Sequence, residues 1–229
     1  MVLVSSVALT RPPPEVPANA PSAKTIQVSG TGMVSASPDE AILYLAVETQ
    51  ASTASQATAE NAAAMTNVLR SLAAAGVSND SIQTTSYTLN AFYANQINQS
   101  VPASIIGYDA VNSIQVTLSR LASVGRILDQ AISAGANEVQ GVTFTLSSAT
   151  MATLQKQALQ LALQDADNQA KATATAMGVT IIGPISVIPG YEFQPVNYNR
   201  LATAVPAATP IQPGTLQVTA TVQVTYAFN

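Results

Sequence analysis

Chemistry in this sequence has to start from carboxylates, hydroxyls and a few lysines, because the chain contains no histidine and no cysteine. That excludes imidazole acid–base catalysis, thiolate nucleophiles, disulfides and zinc sites built on Cys or His. The carboxylates do not group into a catalytic pair. Asp39-Glu40 follows Pro38 and reads as a turn residue plus a charge at a strand entry. Asp165 and Asp167 are two positions apart on a predicted helix, so they point to different faces and cannot share a proton or a metal. Asp109 and Asp129 stand alone in sequence. A serine or threonine nucleophile would need a base, only lysine is left for that role, and no Ser-x-x-Lys motif occurs. Gly30 and Gly32 lack the spacing and the following lysine of a phosphate-cradling loop, and no EF-hand calcium loop is present. No catalytic, cofactor-binding or metal-ligating residue is assigned, and the expectation is a protein that is not an enzyme.

Aromatic residues are the remaining candidates for recognition. Tyr87, Phe92, Tyr93 and Tyr108 form one group in sequence, and Tyr191, Phe193 and Tyr198 form another. Aromatics near loops stack on flat ligands or anchor a partner subunit. The second group, with the apolar Val2, Leu3, Val4, Val7 and Leu9, makes up the candidate interface. Asn79-Asp80-Ser81 and Asn98-Gln99-Ser100 fit the N-glycosylation pattern, a match that arises readily by chance in a Ser/Thr-rich chain.

Composition narrows the classes further. Charged residues make up 9% of the 229, against about a quarter in typical globular domains. The eight basic residues are scattered singly in a chain of net charge −4, so nothing tracks a phosphate backbone and nucleic-acid binding is not expected. A surface carried by Ser, Thr, Asn and Gln has little charge repulsion to keep copies apart. The apolar segment Met1–Leu9 is too short to span a bilayer. It reads as the remnant of a signal peptide without its basic residues, or as a strand in want of a partner. Pro12, Pro13, Pro14, Pro17 and Pro21 make the next stretch a stiff, extended linker. Residues 1–25 are therefore set apart as a tail and 26–229 as one domain.

Positioning elements follow from periodicity. Ile26–Ala36 and Ala41–Glu48 alternate as strands around Ser37-Pro38-Asp39 and predict a hairpin-like pair, with Gly30 and Gly32 marking a bulge or a close backbone approach. Ser52–Ala75 predicts a helix with Ala57, Ala64, Met65, Val68 and Leu72 on one stripe. Asp80–Phe92 is strand-like, and Asn95–Ser104 a polar loop. From Gly107 to Leu146 the pattern is strand, helix, turn, strand, with Ile114, Val116 and Leu118 facing one way and Asp109, Asn112, Asp129 and Asn137 as turn or cap residues. Met151–Met177 is the longest predicted helix, with Leu154, Ala158, Leu161 and Ala162 inward. Val179–Ile188 is strand up to Pro189-Gly190, Tyr191–Gly214 a long excursion, and Leu216–Phe228 the cleanest alternation in the chain. Three helices each end on a glycine followed by a strand (Gly76, Gly135, Gly178). Glycine there supplies the left-handed residue that turns the chain back onto a sheet. The expected class is α+β: an antiparallel or mixed sheet with about three helices on one face.

Several of these pieces, in this order, resemble the SIMPL-domain family, long catalogued as a domain of unknown function. They are Ile26-x-Val28-Ser29-Gly30-x-Gly32-x-Val34-x-Ala36-x-Pro38-Asp39-x-Ala41, Gly107-Tyr108-x-Ala110-x-Asn112, and Ile127-Leu128-Asp129 through Gly135-Ala136-Asn137. Val139-x-Gly141-Val142-x-Phe144, Ala176-Met177-Gly178 and Pro213-Gly214 complete the set. The resemblance runs from about Ile26 to Phe228. It implies an α+β domain, export to the periplasm or cell surface, association with the cell envelope, and large homo-oligomeric rings or tubes. It supplies no catalytic site. The resulting expectation is an exported structural protein that assembles with itself into a ring, tube or filament, with its strand edges and its tail (as a donor strand) as the contacts. The alternative is a small-ligand-binding module that uses the Tyr/Phe loops.

Overall fold

A computed structural model describes residues 24–94, 104–196 and 213–229, with the side chains of 193–196 left aside. Val2, Leu3, Val4, Val7, Leu9 and Tyr198 lie outside the described residues, as do the linker prolines, Asn98 and most of the stretches 95–104 and 197–214.

Among the described residues seven strands and three α-helices follow one another as β1 (Thr25–Ala36), β2 (Glu40–Ala51), α1 (Ala54–Ala74), β3 (Ile82–Tyr93), β4 (Ile105–Leu118), α2 (Val124–Ala134), β5 (Glu138–Thr145), α3 (Ser148–Met177), β6 (Ile181–Val196) and β7 (Thr215–Phe228). The α+β class is as the sequence predicts. The strands, however, divide into two antiparallel sheets, β1-β7-β6 and β3-β4-β2-β5. β1 and β2 are not a hairpin. β1 pairs with β7 along its whole length, from Thr25 opposite Ala227 to Ala36 opposite Leu216, while β2 runs between β4 and β5 in the other sheet. Ser37-Pro38-Asp39 carries the chain from one sheet to the other. The four-stranded sheet is thus built from chain lying between β1 and its partner β7, and no local signal distinguishes that from a tight turn.

Each sheet has its own core. Leu43, Leu45 and Val47 of β2 and Ile114, Val116 and Leu118 of β4 pack under Met65, Val68 and Leu72 of α1 and Ile127, Leu128 and Ala131 of α2. Asn61 of α1 is fully buried in this layer, and its Nδ2 donates to the carbonyls of Val47 (2.7 Å) and Ala110 (2.9 Å). One amide thus ties the helix to both central strands. In the second core the alternating face of β7 (Leu216, Val218, Ala220, Val222, Val224, Tyr226) meets α3.

α3 presents Ala158, Ala162, Ala166, Ala170 and Ala174, one small residue per turn. The stripe differs from the predicted one, since Leu161 is 43% exposed. Small residues let the helix backbone come down onto β1 at its two glycines. A Cβ at Gly30 would overlap the Ala162 carbonyl oxygen and lie 2.6 Å from the Ala166 nitrogen; one at Gly32 would overlap the Ala158 carbonyl oxygen. Close backbone approach is therefore what these glycines are for. Gly76, Gly135 and Gly178 end the three helices at φ of 88°, 123° and 66°, the positive values that turn each chain back towards the sheets.

Candidate functional site

The predicted turn and cap residues do structural work. Asp39 of the inter-sheet crossing accepts from the Ser147 backbone N–H (2.6 Å), the Ser147 hydroxyl (2.7 Å) and the Thr150 hydroxyl (2.6 Å), at the first turn of α3. Burial pushes its carboxyl up, but the hydrogen bonds from Thr150 and Ser147 outweigh it and hold Asp39 below its ordinary value. Asn137 stands in for a strand residue: its Oδ1 accepts from the Glu48 N–H (2.8 Å) and its Nδ2 donates to the Glu48 carbonyl (2.7 Å). Burial, then the charge of the neighbouring Glu48 and Glu138, pushes Asp109 up. Asp165 and Asp167 have separate partners, Asp165 the Thr31 N–H and Asp167 the Lys171 ammonium. Among the described residues no group of three or more acidic side chains is placed to hold a metal ion.

Three clefts of about 350, 420 and 530 Å³ lie around α1 and α2. The largest is lined by Thr66, Leu69, Arg70, Ala73, Ile82 and Thr84 among others, and none of the three has a tyrosine or phenylalanine in its wall. Tyr108 belongs to β4, and Tyr191 to β6 opposite Ala220, 49% exposed. Phe193 stands in β6 opposite Val218. Here the predicted boundary moves: β6 continues through Pro189-Gly190 to Val196, so Tyr191 and Phe193 sit on a strand rather than in a loop. A proline within a strand argued for a stop, but an edge strand tolerates one.

What remains open on the surface are the sheet edges. Among the described residues β6 pairs only with β7 and exposes apolar side chains along its length, among them Ile182, Ile185, Val187, Ile188 (60%) and Tyr191. Val187 and Tyr191, opposite Val224 and Ala220, share the face that α3 covers over β7, yet both stay about half exposed. Among the described residues β3 pairs only with β4, and every residue from Gln83 to Asn90 is exposed. Of the residues chosen from sequence as a candidate interface, Tyr191 and Phe193 stand on β6. None stands on β3, which carries Tyr87 and Leu89 in a run without a single charge.

Residues 26–226 match the family model described as "SIMPL: Protein of unknown function (DUF541)". The chain belongs to the SIMPL family. Two relatives described as "26 kDa periplasmic immunogenic protein", from Brucella melitensis and Brucella abortus, are each 36% identical to this SIMPL chain over 156 residues. Those matches cover 67% of this chain and 62% of each relative, so it spans under two thirds of their length. "Uncharacterized protein YggE" of Edwardsiella ictaluri is 30% identical over 194 residues, covering 83% of this chain and 79% of that one. Among the described residues no helix is long and apolar enough to cross a membrane.

Proposed function

We infer that this SIMPL protein is exported to the periplasm and acts there as a structural protein that associates with copies of itself. The observation that carries the reading is the pair of solvent-exposed edge strands, β3 and β6, on a chain with 9% charged residues. Unpaired strand edges and contiguous apolar side chains are what one chain offers another, and sparse charge gives little repulsion to oppose contact. The compartment follows the description of the two Brucella relatives as periplasmic. A ring, tube or filament at the cell envelope is the form we propose, because a chain with two different edges can contact two neighbours at once. The role is non-catalytic in this reading, since the chain has neither the imidazole nor the thiol that would activate a nucleophile.

Residues 2–9, apolar and joined to β1 by a proline-rich linker, fit the part of an added strand on a neighbouring copy. The small-ligand alternative has less support, because the clefts around α1 and α2 have no aromatic wall. Light scattering on the purified chain, with and without residues 1–25, tests the assembly. The expected result is a mass several times that of one chain at micromolar concentration, reduced in the truncated form. A monodisperse monomer in both forms overturns the reading.

A further inference from the structure

The four sheet edges are not equivalent, and the difference identifies one of them as a seam between copies; this rests on the assembly reading above. The outer edge of β1 lies under α3, and the Thr31 N–H is already taken by the Asp165 carboxylate at 2.9 Å. β5 is eight residues long, carries Glu138 and has an irregular register with β2 between Tyr44 and Leu45. β6 is long and offers exposed apolar side chains to a neighbour, but Pro184, Pro189 and Pro195 limit it as a backbone edge. Since β6 keeps its ladder to β7 as far as Val196, proline nitrogens fit there only where they face the open side, and the edge loses those donors. Buried donors, shortness with a bulge, and proline are the usual devices against adding another strand. β3 is not short, has no proline, and its two irregularities, at Thr84/Ser86 and Phe92/Tyr93, leave Ser86–Phe92 regular between them. Its twelve residues contain no proline and no charge, and they are rich in Thr, Tyr and other strand formers.

We propose that β3 pairs antiparallel with β3 of a second copy about a two-fold axis, joining two four-stranded sheets into one of eight strands. The partner is a second copy because an uncharged strand meets itself without like-charge repulsion. The register also follows. β3 departs from regular pairing with β4 at Thr84/Ser86 and at Phe92/Tyr93, leaving Ser86–Phe92 as the regular segment. Its centre is Leu89. With the axis there, Leu89 faces Leu89 of the second copy, Tyr87 faces Ala91, and Thr88 faces Asn90. Tyr87, Leu89 and Ala91 lie opposite Asn112, Ala110 and Tyr108 of β4, on the side of the sheet that carries α1. Leu89 is 40% and Tyr87 51% exposed; the seam covers both.

Charge at the axis tests this in the full-length protein. Leu89→Lys and Leu89→Glu each place like charges face to face, so each alone raises the dissociation constant of this contact on the order of tenfold or more. Mixing the two restores association, because Lys then faces Glu. Ile188→Lys on β6 leaves the seam intact. If either Leu89 variant loses its circular-dichroism signature, Leu89→Cys substitutes: the chain has no cysteine of its own, so oxidation yields a covalent dimer through the one thiol. Association that persists unchanged in both charge variants, or a Leu89→Cys chain that oxidises without dimer, overturns the seam while leaving self-assembly standing. A wild-type chain that is monomeric throughout overturns both.

Discussion

Asp39 and Asp109 are carboxylates whose surroundings push them in opposite directions, and the consequences separate with pH. Asp39 receives three hydrogen bonds from the start of α3 and is held below its ordinary value of 3.8. A depressed folded-state value means that its stabilisation is present above the unfolded value and lost as pH falls through the folded one. Asp39→Ala therefore lowers the melting temperature at pH 7, and the deficit against wild type shrinks once the pH falls below about 3.8. Asp109 is raised by burial and by Glu48 and Glu138, so its ionised form costs stability at neutral pH and protonation relieves that cost. Asp109→Asn melts higher than wild type at pH 7, with the gain fading as pH falls through the raised value; a variant less stable at pH 7 would rule out the repulsion. Asn61→Ala removes the donor of two buried carbonyls, at about 1–3 kcal/mol for each group left unpaired, measurable by urea unfolding. The sequence showed Asp39 as a turn residue without its partners in α3, which are more than a hundred positions away. Asn61 was illegible, because a polar residue on an apolar stripe looks like a position on the solvent face.

At the scale of elements, β1 and α3 come together backbone to backbone, glycine against an alanine stripe. Gly30→Ala and Gly32→Ala force the helix off the strand, at about 1–3 kcal/mol each. Equal melting temperatures for Gly30→Ala and wild type would contradict the packing. The close approach was legible, since paired glycines within an alternating strand have few other uses. The three helix-ending glycines were legible for the same reason: positive φ is a local demand. The assignment of β1 to β7 was not, because strand alternation marks which residues face a core but not which strand lies alongside. β6 was cut short at Pro189-Gly190 since those residues end most strands; only its place at an edge lets it continue.

For the whole molecule, an apolar, weakly charged chain folds into two sheets that, among the described residues, leave β3 and β6 open to solvent. The composition raised association as an expectation, and the surfaces proposed for it depend on the division into two sheets and on which edges are guarded. Association burying apolar surface weakens on cooling, so the proposed self-association is expected to be tighter at 25 °C than at 4 °C, as read by sedimentation at the two temperatures. Sedimentation velocity on the full-length protein over a micromolar concentration series is the most direct test of self-assembly. The prediction is a dominant species heavier than the 23.5 kDa chain, growing with concentration. A single species of 23.5 kDa at every concentration would contradict it.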